Sequence, residues 1–351
     1  MTNHSGNGAR TSSSRSRRAP ATVALALVAT AALSACGSSS DASASGDQTV
    51  TVGVPGNVFD LPLQLAQSKG YFSDAGLTVK FVTITASTGT SALKSGSIDF
   101  LHSSPTSFLA ALSQKIPVTA VGADAVGNPL GIVVSTSFAE AHGLTADSSE
   151  ADVAKALDGS TAGVSSTNTQ AEAGILLKNE GLDPDTAVKW VTLPSPAADQ
   201  AALKNGEIDW FITSNPLPLQ VEADGDGVVV AGPDKVAQWA ASGYTEFIVA
   251  SDSYLEGNSA TTKTFLAAVQ KATSYVHDHE DDADVQQIAA AAYPNFTSSV
   301  LQASIDQIQW PESLAMDADG WTETLGFQEE LGTPADKRQV ASDDWTNSYL
   351  S

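Results

Sequence analysis

The chain has 351 residues, 42% of them hydrophobic, with 40 acidic against 17 basic residues and a formal net charge of −23. So acidic a protein has no basic face for nucleic-acid phosphates, and anionic membrane surfaces repel it. Its length suffices for two domains with real cores.

Residues 1–35 read as a secretory signal. Four arginines (Arg10, Arg15, Arg17, Arg18) precede a nearly apolar run, Ala21–Leu33, which is shorter than the ~20 residues a membrane-spanning helix needs. Leu33-Ser34-Ala35-Cys36 resembles the lipobox of bacterial lipoproteins. That resemblance implies lipidation of Cys36, the only cysteine, and acyl (palmitate-type) anchoring at the outer face of the cytoplasmic membrane. Arg17-Arg18 is followed by Ala19-Pro20, which does not resemble the twin-arginine continuation, so the export route stays open. Removing the four arginines leaves 13 basic against 40 acidic residues, a net charge of −27. Residues 36–48 follow as a polar, lipidated tether, GSSSDASASGDQ after the cysteine, whose coil would reach about 20 Å.

From Val50 onward, β-rich runs alternate with amphipathic segments. Strands are expected at Val50–Val54, Leu77–Thr85, Ile98–His102 and Val118–Gly122. Helices are expected at Leu61–Ser68, Ser91–Lys94 and Pro105–Gln114, the last with proline at its first position, where the missing N–H is harmless. The pattern then restarts, with strands at Gly131–Ser135, Thr161–Val164, Val188–Leu193, Ile208–Thr213, Val228–Ala231 and Glu246–Ala250. Helices fall at Glu150–Leu157, Thr169–Asn179, Pro196–Lys204 and Pro216–Ala223. Thr169-Gln170-Ala171-Glu172 reads as a capping box, and Ser195 as an N-cap. After about residue 252 only helices are expected: Thr262–His277, Ala283–Ala292, Ser299–Ile308, Ala318–Leu331 and Asp343–Leu350. This is the punctuation of an α/β protein with largely parallel sheets.

One phrase occurs twice. ALKSGSIDF begins at Ala92 and ALKNGEIDW at Ala202, followed by Ser103-Ser104-Pro105 and Ser214-Asn215-Pro216. Each copy encodes a helix end, a glycine turn, a strand and the next helix start, so two α/β lobes of one architecture are expected, with Asp99 and Asp209 at equivalent places in separate sheets.

These residues also carry a family resemblance. Leu63–Phe72 with Ala75-Gly76-Leu77, the stretch Ala92–Asp99, the helix opening Ser165-Ser166-Thr167-Asn168, and Gly206–Trp210 with Pro216 occur in an order similar to the nitrate/sulfonate/taurine and thiamine-precursor solute-binding proteins of ABC importers. The resemblance spans about Val50 to Ala250. It implies a two-lobe periplasmic-binding-protein-like fold (type II), with lobe 1 at 49–130, lobe 2 inserted at 131–246, and 247–351 returning to lobe 1 with C-terminal helices. The expected crossings are Asn128–Gly131 and Gly243–Phe247. It further implies a small solute between the lobes, a monomeric receptor, and an ABC permease with its ATPase as partners. Asn215-Pro216-Leu217 departs from the sulfonate binders' pattern.

In open α/β sheets, ligands bind beyond the carboxyl ends of strands, where helix N-termini present unpaired N–H groups. The candidate ligand contacts are Ser87, Thr88, Ser103, Ser104, Ser166, Thr167, Asn168, Ser214 and Asn215 at four helix starts, with Asn57 and Phe59 after the first strand. Each hydroxyl either caps its own helix or meets the ligand. Trp210 is a candidate stacking platform, and Phe211 a buried strand aromatic. The mature chain holds a single arginine, Arg338, so no bidentate guanidinium grip on an anion is expected. A neutral heterocycle, or an anion held only by N–H and hydroxyl groups, fits this better.

An enzyme is the alternative. No phosphate loop, HExxH or nucleophile elbow occurs, and no cofactor is expected. His277-Asp278-His279-Glu280-Asp281-Asp282 reads as a polar loop rather than a metal site, because its histidines are spaced i, i+2. Relatives that act as pyrimidine-forming synthases, or a scaffold lipoprotein without ligand, remain the competing readings.

Overall fold

The computed structural model describes residues 48–350 except 129, 166, 240–241 and 331–342, and only the backbone of residues 86, 87, 167 and 168. The signal, Cys36 and the tether lie outside the described residues, as do Ser166 and the side chains of Ser87, Thr167 and Asn168.

Among the described residues, ten strands form two five-stranded sheets. They are β1 (Gln48–Val54), β2 (Leu77–Thr83), β3 (Phe100–Ser103), β4 (Val118–Val126), β5 (Leu130–Ser135), β6 (Thr161–Val164), β7 (Lys189–Thr192), β8 (Trp210–Ser214), β9 (Gly227–Ala231) and β10 (Tyr244–Ser251). The first sheet runs β2-β1-β3-β10-β4, the second β7-β6-β8-β5-β9. In each sheet three strands run parallel, and the fourth, β10 or β5, lies antiparallel between the third and the last. The chain leaves the first sheet after β4 and returns after β9. The two passages are tied together: Gly127 N–H donates to the Gly243 carbonyl at 2.8 Å, and Ser242 Oγ donates to the Gly127 carbonyl at 2.6 Å.

The repeated phrase is the same device twice. Asp99 N–H donates to the Thr51 carbonyl at 2.7 Å, while its carboxylate accepts from Thr51 N–H at 2.7 Å. Asp209 makes the same pair with Thr161, at 2.8 Å and 2.7 Å. Each aspartate thus fixes the register of a short parallel strand against its neighbour, and the two occupy equivalent places in separate sheets.

Alternation along β10 explains how one strand serves two cores. Ile248 and Ala250 face one cluster with the valines of β1, the helix Leu61–Ser68 and the helix Ser259–His279. Phe247 and Val249 face another with Phe108 and Trp321. Helices cover both faces, as largely parallel sheets require. Phe100 stacks on Phe265 with centroids 4.3 Å apart, and burying each such ring contributes roughly 2–3 kcal/mol.

Several elements differ from the sequence reading. The segment Asp343–Leu350 is not a helix. It runs beside β4 instead: Ala120 N–H donates to the Asp344 carbonyl at 3.0 Å, and Thr346 N–H to the Ala120 carbonyl at 2.9 Å. Its Thr, Asn and Ser side chains favour local bonds over a helix, and covering β4 protects an open sheet edge. The helix expected at Ser91–Lys94 spans Ala86–Ser95, starting at a Thr85–Thr88 capping box. Short helices at Thr136–His142, Pro233–Trp239 and Asp252–Gly257 carry too few turns for a visible apolar period. The histidine-rich run is partly helix, since the long helix continues to His279. His277 Nδ1 sits 2.7 Å from the Trp310 carbonyl, which occupies it locally.

Candidate functional site

Where the chain passes between the sheets it leaves an open cleft of about 170 Å3. Asn57 and Phe59 reach it from the turn after β1, Ser104 and Thr106 from the start of the helix Pro105–Ser113, and Ser214 from the end of β8. Tyr244, Thr245 and Glu246 come from the first residues of β10, Glu172 from the helix Thr167–Asn179, and Phe327 and Gln328 from the helix Ala318–Glu330. The cleft thus lies beyond strand carboxyl ends, where α/β sheets hold ligands.

Of the residues singled out in the sequence, Asn57, Phe59, Ser104 and Ser214 line this cleft. Asn57 also caps its own turn, accepting from Phe59 N–H at 3.1 Å. Ser104 holds the N-cap position without a capping bond, and its Oγ donates to Ser107 Oγ at 3.3 Å. Ser103 is buried in β3, its hydroxyl turned to the Ser104 carbonyl, away from the cleft lining. Thr88 is an exposed capping residue. Asn215 is buried and donates to Gln307 Oε1 at 2.7 Å, which ties the end of β8 to the C-terminal region rather than to the cleft. Trp210 is no stacking platform: it is fully buried at the opposite end of β8, donating to Ser160 Oγ at 2.8 Å and edge-on to Trp190. Phe211 is likewise core. Only the backbone of Ser87, Thr167 and Asn168 is described, and Ser166 lies outside the described residues.

The residues missed in the sequence include Thr106, Tyr244, Thr245, Phe327 and Gln328, and two acids. Glu172 is not the partner in a capping box, because its helix begins at Thr167. It faces the cleft, partly exposed; the protein packed around its carboxyl disfavours the charge and pushes it up to about 8. Glu246 stands across from the second sheet's residues on β10, itself buried, with Oε2 lacking a hydrogen-bond partner.

Behind Glu246 runs a buried chain. His102 Nδ1 is 2.7 Å from Asp60 Oδ1, and His102 Nε2 is 2.9 Å from Asp124 Oδ1, with all three side chains shut off from solvent. Asp60 Oδ2 accepts from Gly56 N–H at 2.7 Å and Asn57 N–H at 3.2 Å, so the chain also pins the turn that carries Asn57 and Phe59. Burial opposes a charge on His102, but the charge and hydrogen bond of Asp124, the hydrogen bond of Asp60 and the nearby Glu246 outweigh it and raise the imidazole well above its ordinary value. Both ring nitrogens therefore donate. Glu246 is pushed up to about 8, first by burial, then by Asp60 and Asp124 acting against the relief from His102. The sequence does hold a signal for these groups: His102, Asp124 and Glu246 are isolated polar residues within apolar strands, and buried charges are retained only when paired.

No lysine, arginine or histidine lines the cleft among the described residues, and no three metal-ligating side chains gather among them. What the cleft offers is amide and hydroxyl groups, two carboxyls held toward their neutral form, and the faces of Phe59 and Phe327.

Two five-stranded sheets joined by paired passages, with a cleft between strand ends, define the scaffold of periplasmic solute-binding proteins. Residues 60–283 match the NMT1/THI5 like family, and the chain belongs to it. It is 26% identical over 228 residues to a 4-amino-5-hydroxymethyl-2-methylpyrimidine phosphate synthase from Aspergillus parasiticus, covering 62% of this chain and 63% of that protein. The chain thus spans less than two thirds of that relative's length. Among solved structures it resembles the ligand-binding component of an ABC-type import system from Staphylococcus aureus, zinc-bound (TM-score 0.67, 16% identity, 86% of this chain and 97% of that one). It also resembles the periplasmic aliphatic sulphonate binding protein SsuA of Escherichia coli (TM-score 0.64, 17% identity, 81% and 86%). These likenesses agree with the type II binding-protein fold expected from the sequence.

Proposed function

We propose that this protein is the extracytoplasmic solute receptor of an ABC importer and captures a small nitrogen heterocycle between two lobes. Lobe 1 comprises 49–130 with 247–351, lobe 2 comprises 131–246, and the paired passages at Gly127 and Gly243 act as the hinge. The signal 1–35 exports the chain, Cys36 anchors it by lipid, and the monomer delivers its solute to a permease driven by an ATPase.

The observation that carries the choice of solute is the cleft lining among the described residues: two glutamates and no basic side chain. A sulfonate or nitrate would meet carboxyls and no compensating cation, which is costly in a partly desolvated site. A heterocycle finds donors, acceptors and two aromatic faces. The pyrimidine named for the curated relatives supports a ring of that kind as solute. The absence of any cysteine after Cys36 and the export signal favour a receptor over a synthase.

Mass spectrometry of small molecules released from natively purified protein tests this reading. A nitrogen heterocycle is expected, and at 100 times its Kd it should add about 2.7 kcal/mol of stability, while taurine and nitrate add nothing. Ser104→Ala with Ser214→Ala removes one hydroxyl from each lobe. At about 0.5–1.5 kcal/mol per hydrogen bond, the double variant should bind that solute roughly tenfold to a hundredfold more weakly in calorimetry. Cys36→Ser should release the protein from the membrane fraction or leave it uncleaved, and retention equal to wild type would refute the anchor.

A further inference from the structure

The buried chain behind the cleft lies wholly within the first sheet and the turn after β1. It is an expensive arrangement: two aspartates and an imidazolium without solvent contact, with a third acid, Glu246, beside them and one of its oxygens unpaired. Buried ionic groups of this kind contribute little net stability. Among the described residues, the charged groups that act on Glu246 are Asp124 on β4, His102 on β3 and Asp60 in the turn after β1, which together carry one excess negative charge when the imidazole is protonated. Burial first, then Asp60 and Asp124 acting against the relief from His102, disfavours an additional carboxylate there and pushes Glu246 up to about 8, so that it holds its proton at neutral pH. Glu172 reaches the same value from the other side of the cleft through burial alone. A neutral carboxyl differs in kind from a carboxylate, because it presents one donor and one acceptor side by side.

Resting on the heterocycle reading above, we infer that Glu246 and Glu172 are the specificity-determining residues of the cleft and act as protonated carboxyls. Each donates its O–H to a ring nitrogen and accepts an N–H from the adjacent amino group, with Glu246 set in its buried place beside the Asp60–His102–Asp124 chain. The complex holds the same number of protons whether each stays on the carboxyl or moves to the ring nitrogen. Below about pH 8 a neutral solute therefore binds without exchanging protons with water. Above it, each carboxyl that has ionised must take up one proton from solution, so affinity falls with pH. The pair selects against anions at every pH, since a carboxylate in the cleft repels them and a carboxyl adds no charge to hold them.

The test uses 4,6-diaminopyrimidine, which carries two such edges, titrated by ligand-observed NMR against the full mature chain between pH 6.5 and 9.5. Binding is expected at pH 6.5, weakening toward tenfold per pH unit above pH 8 for each ionising carboxyl. Glu246→Gln keeps a donor and an acceptor but no titrating proton. It should lose its share of the pH slope, a change that a purely structural role would not produce. Glu246→Ala should bind at least tenfold more weakly at pH 6.5, with circular dichroism showing the wild-type fold. In carbon-13 glutamate-labelled protein, two carboxyl resonances should titrate near pH 8, one vanishing in Glu246→Gln and the other in Glu172→Gln. A flat wild-type profile, an unchanged slope in Glu246→Gln, or no probe binding at pH 6.5 overturns the inference. The receptor reading falls separately, if natively purified protein carries no solute and no heterocycle of a panel raises its stability.

Discussion

At the middle of the first sheet β3 places His102 opposite Ile248 of β10; at the matching position of the second sheet β8 places Ile212 opposite Ile132 of β5. Around His102 lie Asp60, Asp124 and Glu246, whereas around Ile212 lies an apolar cluster that includes Ala162, Trp210 and Val230. The strand order, the antiparallel insertion and the aspartate that locks register are common to both sheets. One scaffold thus tolerates either filling at its centre, because the backbone ladder and the glycine turns define the architecture while the central side chains are free to vary. The polar filling sits in the half whose turn, Gly56–Asp60, reaches the cleft. What distinguishes the halves is chemistry at the site.

The sharpest way to break this comparison is to make the halves alike. His102→Leu imitates the second sheet but strands Asp60 and Asp124 in the core. Removing one partner of a buried ionic group costs about 3–5 kcal/mol, and chemical denaturation should show a loss of that size. Ile212→Val in the other half removes only a methylene and should cost about 0.5–1.5 kcal/mol. Equal losses would mean that the charged chain plays no special part in the first half.

A second effect depends on pH. The folded state raises Glu246 from its ordinary 4.5 to about 8, so between those values the unfolded chain releases a proton that the folded one keeps. Stability from this group is fully present below about pH 4.5 and is lost as pH rises toward 8, at about 1.4 kcal/mol per pH unit. Glu246→Gln removes the loss. Relative to wild type the variant should gain roughly 2–3 kcal/mol on going from pH 6 to pH 8, as read from urea midpoints at each pH. A constant difference would show that Glu246 is already ionised at pH 6.

Much of the architecture was legible in the sequence, because its punctuation is local. Gly96 and Gly206 follow the ends of their helices with positive φ, Pro105 and Pro196 stand at first helical positions, and the repeated phrase marked equivalent strands. The tail Asp343–Leu350 was misread because its structure comes from an edge of β4 more than two hundred residues away, not from its own pattern. The cleft was legible on its hydroxyl side, at Ser104 and Ser214, since a serine one or two residues ahead of a proline is a local signal. Its acidic side was not. Glu172 sat in an apparent capping box, and a residue's distance from a distant strand is invisible in one-dimensional spacing. Trp210 failed for the converse reason: an aromatic on a strand can face cleft or core, and alternation alone does not say which.

The smallest effect tests the part of the comparison that should not differ. Asp99 and Asp209 each accept one backbone N–H at 2.7 Å across a separation of 48 residues. A hydrogen bond to a charged group contributes about 1.5–3 kcal/mol, so Asp99→Ala and Asp209→Ala should each destabilise by that amount. The two make the same pair of bonds, so their costs should be alike, and independent sites add within about 0.5 kcal/mol. For the same reason the double variant should lose the sum of the two, since the aspartates belong to different sheets and share no partner. If Asp99→Ala alone proved much the costlier, the lock on β3 would be coupled to the neighbouring His102 chain and the repeat would be equivalent in geometry but not in energy. If the double variant lost clearly less than the sum, the two sheets would not be independent frames, and a hinge that moves one against the other would lose its physical basis.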